Sequence, residues 1–214
     1  MNSPTPVKRG RGRPPKDPSG FRNTRALLIR SGTEVLTEKG YSAAGLDEIL
    51  RRAGIPKGSF YHYFDNKDAF GIALIENYSA FFKHKLDKHL SNPALPHLRR
   101  LTAFMDDAAE GMARYDFKRG CLVGNLGQEM GALPEAFRES IHHVFRDWQG
   151  LVEQCLEGAM EAGEIPPGIR CADAAYLFWT GWEGAVMRAK LERSPRALKA
   201  YSVFFIASLN PNFN

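Results

Sequence analysis

Residues 40–67, GYSAAGLDEILRRAGIPKGSFYHYFDNK, decide the fold of this chain. The first half of the stretch carries apolar residues at i, i+3, i+4 and i+7, namely Leu46, Ile49, Leu50 and Ala53. This spacing predicts an amphipathic helix. Gly54 favours the left-handed conformation at the end of that helix, and Pro56 favours the first turn of a new one. The stretch therefore predicts two short helices joined by a tight turn.

The second of these helices has an unusual outer surface. Phe60 and Phe64 form its predicted buried i, i+4 pair. The side left exposed carries a cation, a glycine, a hydroxyl, a phenol and an imidazole: Lys57, Gly58, Ser59, Tyr61 and His62. Such groups can contact phosphates and base edges, as the N-terminal residues of a recognition helix do in the major groove. An ordinary helical hairpin within a core is the alternative.

A third helix is predicted to begin directly after this pair. Asn66 is a good N-cap, and Asp68 lies in the first turn. The free backbone amides of this helix start, with Lys67 beside them, suit a phosphate of the DNA backbone. We expect the first helix of the pair to offer a similar contact near Gly45.

The following residues of this stretch stand at characteristic distances from one another: Gly40-Tyr41, Ile49, Ala53-Gly54-Ile55, Lys57 to Phe64 and Asn66-Lys67. The pattern covers about a quarter of the chain and resembles the DNA-binding domain of TetR-family transcriptional repressors. The resemblance implies an all-α fold, with an N-terminal three-helix helix-turn-helix DNA-binding domain and a C-terminal helical ligand-binding and dimerisation domain. It also implies a homodimer that binds a palindromic double-stranded DNA operator and leaves it when a small-molecule inducer enters the C-terminal domain.

Composition restricts the possible classes of protein. The chain has 214 residues, of which 43% are hydrophobic and 25% charged, as in globular proteins. It contains no run of about 18 or more apolar residues, so neither a membrane span nor a secretory signal is predicted, and we expect a cytoplasmic protein. The three cysteines are odd in number and widely spaced, which fits neither a disulfide framework nor a zinc site. No metal or cofactor is expected.

The net charge of +5 is concentrated at the N-terminus. Residues 1–22 hold six basic side chains and one acidic one, whereas the remaining residues balance. Residues 1–21 are rich in Pro, Gly, Lys and Arg, which predicts a disordered basic arm. Within it Arg9, Arg11 and Arg13 resemble an AT-hook, whose arginines lie in an A·T-rich minor groove. A basic tail with only nonspecific DNA affinity is equally consistent with this composition.

The rest of the chain is predicted to be helical. A helix over residues 23–39, with Asn23 as its cap, completes a DNA-binding domain at residues 22–68. Residues 69–214 are predicted to form the ligand-binding and dimerisation domain. The helix over residues 171–192 is apolar nearly all round and is followed by a last apolar helix. Such helices must be buried on several sides, so we expect them to form a four-helix dimer interface. A single-chain core is the alternative.

A glycine-rich segment, residues 119–134, is the predicted sensor. Its glycines weaken any helix, which suits an element that must move. Together with residues 181–190 it resembles the TetR repressors that respond to small electrophiles, namely the acrylate-responsive and N-ethylmaleimide-responsive ones. The resemblance implies acrylate or a related unsaturated molecule as the inducer. The candidate ligand-binding residues are Met105, Cys121, Asn125, Gln128, Trp182 and Glu183.

Three roles for Cys121 remain open. Lys118 and Arg119 precede it, so its pKa could be lowered and the thiolate could attack an activated alkene. Cys121 could instead line a reversible binding site, or it could be an inert core residue. Glu183 lies in an apolar helix, so we expect it to have a buried partner or a raised pKa.

A ligand-released repressor is therefore the leading hypothesis. The alternative is an architectural protein that binds DNA through its AT-hook-like arm without an inducer. An enzyme is not expected, because the polar residues form no nucleophile–base pair or metal cluster at a diagnostic spacing.

Overall fold

The computed structural model of the chain describes residues 18–210, and every regular element in that part is a helix. This confirms the all-α prediction. The helices of the described part are α1 (Pro18–Lys39), α2 (Leu46–Ala53), α3 (Lys57–Phe60), α4 (Lys67–Leu90), α5 (His97–Ala113), α6 (Leu122–Gln128), α7 (Glu135–Glu161), α8 (Cys171–Glu192) and α9 (Arg196–Leu209). None of them is both long and apolar enough to cross a membrane.

The helix-turn-helix has the predicted local structure. Gly54 takes the left-handed conformation, with φ 68° and ψ 29°, and its N–H donates to the Arg51 carbonyl at the end of α2. The predicted inward residues Ile49, Phe60 and Phe64 are buried. α3 is a single turn, because the chain continues after Phe60 as hydrogen-bonded turns rather than as a helix.

The start of α1 differs from the prediction. α1 begins at Pro18, so the expected helix start at Asn23 is wrong, and the expected disordered arm at residues 1–21 overlaps α1 by four residues. Proline suits the first turn of a helix because its missing N–H has no helical partner there. Asn23 instead lies inside α1, where its side chain is exposed.

α4 belongs to both halves of the molecule. Its predicted cap is confirmed, since the Asn66 side chain accepts a hydrogen bond from the Ala69 N–H at 2.8 Å. Phe70, near its N-terminus, lies 4.7 Å from the Phe64 ring, which fastens α4 to the helix-turn-helix. Phe82, three turns later, lies 4.5 Å from Trp148 of α7. A displacement of α4 would therefore be felt in both halves.

The C-terminal half is a helical bundle of α4, α5, α7, α8 and α9. Its core is aromatic, and the rings of Phe104, Trp148, Trp179 and Trp182 are at most 2% exposed. α6 lies at the junction, in contact with α1, α4 and α7. The helix within the glycine-rich segment therefore touches the DNA-binding half directly.

Candidate DNA interface and ligand cavity

The predicted recognition surface is on the outside of the molecule. Phe60 is fully buried and anchors α3 from beneath, while Lys57, Tyr61 and His62 are exposed and Ser59 is half-buried. The Lys57 ammonium lies 3.0 Å from the Asp47 carboxylate, which raises the pKa of the lysine and keeps it cationic. The surface offers one fixed cation, a phenol and an imidazole to a bound molecule.

Two glycines on this surface have open space in front of them. A Cβ atom added at Gly45 or Gly58 would meet no heavy atom within 4 Å. Gly45 also has ordinary extended angles, with φ −75° and ψ 136°. The fold therefore does not need a glycine at Gly45 for its backbone angles, nor at either position for space. A close approach by a molecule outside the protein, such as a DNA backbone, gives these glycines a use.

Lys67, unlike the other predicted DNA-contacting residues, points its side chain toward the protein. Its ammonium donates to the Tyr41 carbonyl at 2.9 Å and lies 4.2 Å from the centre of the Tyr41 ring. Burial lowers the pKa of this lysine. Lys67 thus holds the loop before α2, and only its remaining donors are available to a phosphate. The arm residues Arg9, Arg11 and Arg13 lie outside the described residues.

A cavity of about 480 Å³ lies between α1, α4, α5, α8 and the segment before α6. Three predicted ligand residues line it: Cys121, Trp182 and Glu183. Three cationic residues, Lys85, Arg114 and Arg119, contribute to the same wall. The Thr33 hydroxyl, also in this wall, is buried and has no hydrogen-bond partner among the described residues. The cavity can therefore hold a ligand that has both apolar and polar or anionic groups.

The other three predicted ligand residues do not line this cavity. Met105 is packed in the bundle core and is 1% exposed. The Asn125 amide donates to the carbonyls of Leu36 and Thr37, so it faces α1. Gln128 is exposed at the far end of α6. α6 starts at the cavity and leads away from it, which is why only its N-terminal end contributes to the wall.

Cys121 is the N-cap of α6. Its sulfur accepts a hydrogen bond from the Gly124 N–H at 3.4 Å, and its side chain lies in the cavity wall together with Tyr78 and Glu183. Burial, and then the negative charge of Glu183, raise the pKa of the thiol well above its usual range. The alternative in which neighbouring cations lower this pKa is therefore wrong.

The two cations that were expected to lower this pKa are engaged elsewhere. Lys118 pairs with Asp116 at 3.2 Å, and Arg119 pairs with Glu38 at 3.1 Å. A cation that is already neutralised by a carboxylate does little to stabilise a thiolate nearby. The thiol at Cys121 is accordingly neutral in the resting protein.

Glu183 confirms the expectation of a raised pKa. Burial raises the pKa of its carboxyl group to about 7, although the hydrogen bond from Cys121 acts in the opposite direction. Neither nearby cation on α8 is its partner, since Arg188 pairs with Glu192 at 2.6 Å and Lys190 donates to the Thr37 carbonyl. The carboxyl group is therefore poised between its charged and neutral forms near neutral pH.

Two family models cover both halves of the chain. The model of the tetR family of bacterial regulatory proteins matches residues 28–74, and the model of the tetracyclin repressor-like C-terminal domain matches residues 97–204. The chain belongs to the TetR family. Because TetR proteins are transcriptional regulators, the helix-turn-helix surface is a DNA-binding one.

Individual TetR-family relatives agree with this assignment. The chain is 50% identical to the transcriptional regulator AcuR of Cereibacter sphaeroides, over 94% of this chain and 91% of that protein. It is 30% identical to the HTH-type transcriptional repressor NemR of Escherichia coli, over 80% of this chain and 86% of that protein. Both relatives are regulators rather than enzymes, so neither an enzyme nor an architectural protein is favoured.

Solved TetR-family structures have the same fold. The crystal structure of the regulatory protein TetR from Rhodobacter sphaeroides superposes with a TM-score of 0.85 at 50% identity, over 86% of this chain and 97% of that one. The reduced form of E. coli NemR superposes with a TM-score of 0.77 at 28% identity, over 87% and 96%. These matches confirm the resemblance that the motif and the glycine-rich segment indicated.

Segment 119–129 joins the cavity of this TetR-family chain to its DNA-binding half. The Thr37 carbonyl, in the last turn of α1, accepts hydrogen bonds from Gly120 N, Asn125 Nδ2 and Lys190 Nζ at 3.0–3.1 Å. Further along, the Glu129 carboxylate accepts hydrogen bonds from the backbone N–H groups of residues 41 and 42, at 2.9 and 2.7 Å. Direct hydrogen bonds therefore connect the segment at the cavity wall with the helix-turn-helix.

Several site residues were missed by the sequence reasoning. Tyr78 lies among apolar residues of α4 and carried no sign of a functional role in the sequence, although it lines the cavity beside Cys121. Glu129 had no local signal, because its partners lie about 88 positions earlier in the chain. Such contacts depend on how α6 packs against α1 and α4, and helix periodicity carries no information about that packing.

Proposed function

We propose that this chain is a homodimeric repressor that leaves its DNA operator when a small α,β-unsaturated electrophile, such as acrylate, occupies the cavity beside Cys121. The single observation that carries the proposal is the continuity of segment 119–129, which forms the cavity wall at one end and holds the helix-turn-helix at the other. As a regulator of chromosomal genes it would act in the cytoplasm.

The inducer class is supported by the cavity and by the family resemblance. A thiol lies in the wall, as an electrophile requires, and Lys85, Arg114 and Arg119, each paired with a protein carboxylate, contribute hydrogen-bond donors to the same wall. The glycine-rich segment resembles those of the acrylate-responsive repressors. The cavity is larger than acrylate alone, so esters and amides of unsaturated acids belong to the same candidate class.

The dimer is supported by an exposed apolar face on α8 and α9. Its residues are between 46% and 77% exposed in the single chain: Tyr176, Leu177, Met187, Leu191, Val203 and Phe204. Contiguous exposed apolar surface of this kind marks an interaction site. A twofold partner on this face would place two α3 helices side by side, which is what reading two operator half-sites requires.

Release would operate by a shift between two conformations. A ligand that binds one conformation more tightly than the other increases the population of that conformation. DNA affinity can fall only by as much as the ligand's affinities for the two conformations differ. In this chain the conformation that binds DNA is the one in which Thr37 and the backbone of residues 41 and 42 are held by segment 119–129. An inducer that displaces Cys121 would loosen these bonds and change the spacing of the two α3 helices.

The test uses a DNA duplex selected from random sequence by the full-length protein. Binding is measured by gel shift without ligand, with acrylate, and with propionate, the saturated acid of similar size and the same charge that has no C=C bond. We expect acrylate to abolish the shift and propionate to leave it unchanged. Unaltered binding in the presence of acrylate and of its neutral amide and ester derivatives would refute the proposed inducer class, and failure to select any duplex would refute the proposed operator.

A further inference from the structure

The cavity wall holds three hydrogen-bonding groups in a row, and the proposed function uses only the middle one. Tyr78, Cys121 and Glu183 line the same cavity, and the Tyr78 hydroxyl and the Glu183 carboxyl group both act on the Cys121 thiol. The three residues come from α4, the N-cap of α6 and α8. The contact depends on Gly124, because a Cβ atom there would lie 1.9 Å from Glu183 Oε2. The fold therefore holds an acid–base group against the sulfur.

The thiol needs such a group in order to react. The thiolate is the nucleophilic form of cysteine, and burial beside a carboxylate favours the neutral thiol. A weak nucleophile becomes reactive when an adjacent base takes its proton during the attack. Glu183 is the carboxyl group next to Cys121 in the cavity wall, and both side chains border Gly124, so it stands where that base must be.

We propose that Glu183 is the base that accepts the Cys121 proton as the sulfur adds to the β-carbon of an α,β-unsaturated carbonyl compound, while Tyr78 and the Gly124 N–H hold the developing thiolate. The inference rests on the proposed function, since it takes the electrophile in the cavity as given. It adds two residues with defined roles: Glu183 is the proton acceptor, and Tyr78 is a hydrogen-bond donor to the reacting atom.

The step is a conjugate addition that balances within the site. The S–H bond breaks and its proton passes to Glu183, while a sulfur lone pair forms the S–C bond to the β-carbon. The π electrons of the C=C bond move toward the carbonyl oxygen, giving an enolate. The α-carbon then takes a proton back from Glu183. The net change is addition of S–H across the double bond, and it needs neither an oxidant nor a reductant.

The charges around Glu183 suit this role. Its pKa of about 7 leaves both the base and the acid form populated near neutral pH, as a group that accepts and returns a proton requires. The charged groups on the other walls of this cavity are held in ion pairs: Lys85 with Asp107, Arg114 with Asp107, and Arg119 with Glu34 and Glu38. Glu183 also borders a second pocket, which it shares with His142 and Arg146 of α7, but neither of these groups contributes to its pKa shift. Glu183 therefore titrates mainly against burial and against its own contact with Cys121.

The test measures the rate of Cys121 alkylation by acrylamide, a neutral electrophile whose charge does not change with pH. Peptide mapping by mass spectrometry separates this adduct from any on Cys155 or Cys171. For the wild type we expect a rate that rises with pH through about 7 and then levels off, because only the carboxylate can accept the proton. Glu183→Gln should lose that step and react about 100-fold more slowly at pH 7.5.

Three further variants separate the roles. Tyr78→Phe should react about tenfold more slowly but keep the pH step, since it removes a donor to the thiolate and not the base. Glu192→Gln removes a carboxylate from the same helix outside the cavity and should match the wild type. Thermal melts at each pH confirm that the variants are folded, and Glu183→Asp provides a second variant that retains a carboxylate and should keep part of the pH step.

Two results would overturn the inference. One is a Glu183→Gln protein that is alkylated as fast as the wild type with the same pH profile. The other is a wild-type protein that releases the operator in acrylamide while Cys121 stays unmodified. In that case ligand-dependent release would stand, and the addition of the Cys121 thiol to the ligand would be refuted. Conversely, alkylation through Glu183 without DNA release would refute the proposed function and leave the inference standing.

Discussion

Glu129 is the residue whose substitution tests the path from cavity to DNA most sharply. Its carboxylate accepts two backbone N–H groups at the start of the helix-turn-helix, from residues 41 and 42, at 2.9 and 2.7 Å. Glu129→Gln keeps one acceptor oxygen but turns an amide donor toward the other N–H. A hydrogen bond to a charged group contributes about 1.5–3 kcal/mol. We therefore expect the substitution to weaken the interaction between segment 119–129 and the DNA-binding half by about 2 kcal/mol.

That loss is comparable to the whole allosteric effect. Coupling free energies between sites are about 1–3 kcal/mol, and 2 kcal/mol corresponds to about a 30-fold change in affinity. Inducer should therefore change the operator Kd of Glu129→Gln by less than about fivefold, while changing that of the wild type by considerably more. Fluorescence anisotropy of a labelled operator duplex gives both Kd values, with and without acrylate.

Inducer binding itself should survive the substitution. Glu129 does not line the cavity, whereas Trp182 does, so acrylate should alter tryptophan fluorescence equally in the variant and the wild type. Glu135→Gln is the matched control, because that carboxylate is exposed and pairs only with Arg138 on the surface among the described residues. If Glu129→Gln released the operator at the same acrylate concentration and to the same extent as the wild type, the proposed path would be refuted.

Three other predictions follow from the described contacts. Gly58→Ala should leave thermal stability unchanged or raise it by up to about 1 kcal/mol, yet weaken operator binding at least about tenfold, because its added methyl group meets only solvent in the free protein. The raised pKa of Glu183 stabilises the folded protein at low pH; this contribution is complete below the ordinary carboxyl pKa and is lost as pH rises through about 7. In urea unfolding, the wild type should therefore lose up to about 3 kcal/mol of unfolding free energy relative to Glu183→Gln between pH 4.5 and 8. Phe204→Asp, at a side chain 72% exposed on α9, should convert the dimer to a folded monomer in light scattering and abolish operator binding.

The helix-turn-helix could be predicted because its signals are local. The apolar stripe around Ile49, the left-handed stop at Gly54 and the cap at Asn66 act within one or two helical turns, and the structure confirms each of them. The start of α1 was harder, because Pro18 and Asn23 are both acceptable near a helix N-terminus and local preference alone does not separate them.

The cavity was only partly predictable because its chemistry depends on distant contacts. One alternative for Cys121 was a pKa lowered by Lys118 and Arg119, its neighbours in sequence, but the Arg119 guanidinium pairs with Glu38 some 81 positions away. Burial against Glu183 then reversed the direction. Asn125 was assigned to the ligand for its polarity, whereas the packing of α6 turns its amide toward α1.

In the proposed mechanism, modification of Cys121 by the inducer controls whether the protein stays bound to DNA. The most direct measurement follows one sample of protein, labelled operator and acrylate over time, with anisotropy reporting bound DNA and peptide mass spectrometry reporting modified Cys121. We expect the loss of bound DNA and the modification of Cys121 to follow the same time course, and Cys121→Ser to stay on the operator throughout. Complete modification of Cys121 with the duplex still bound, or release from Cys121→Ser at the same acrylate concentration, would contradict it.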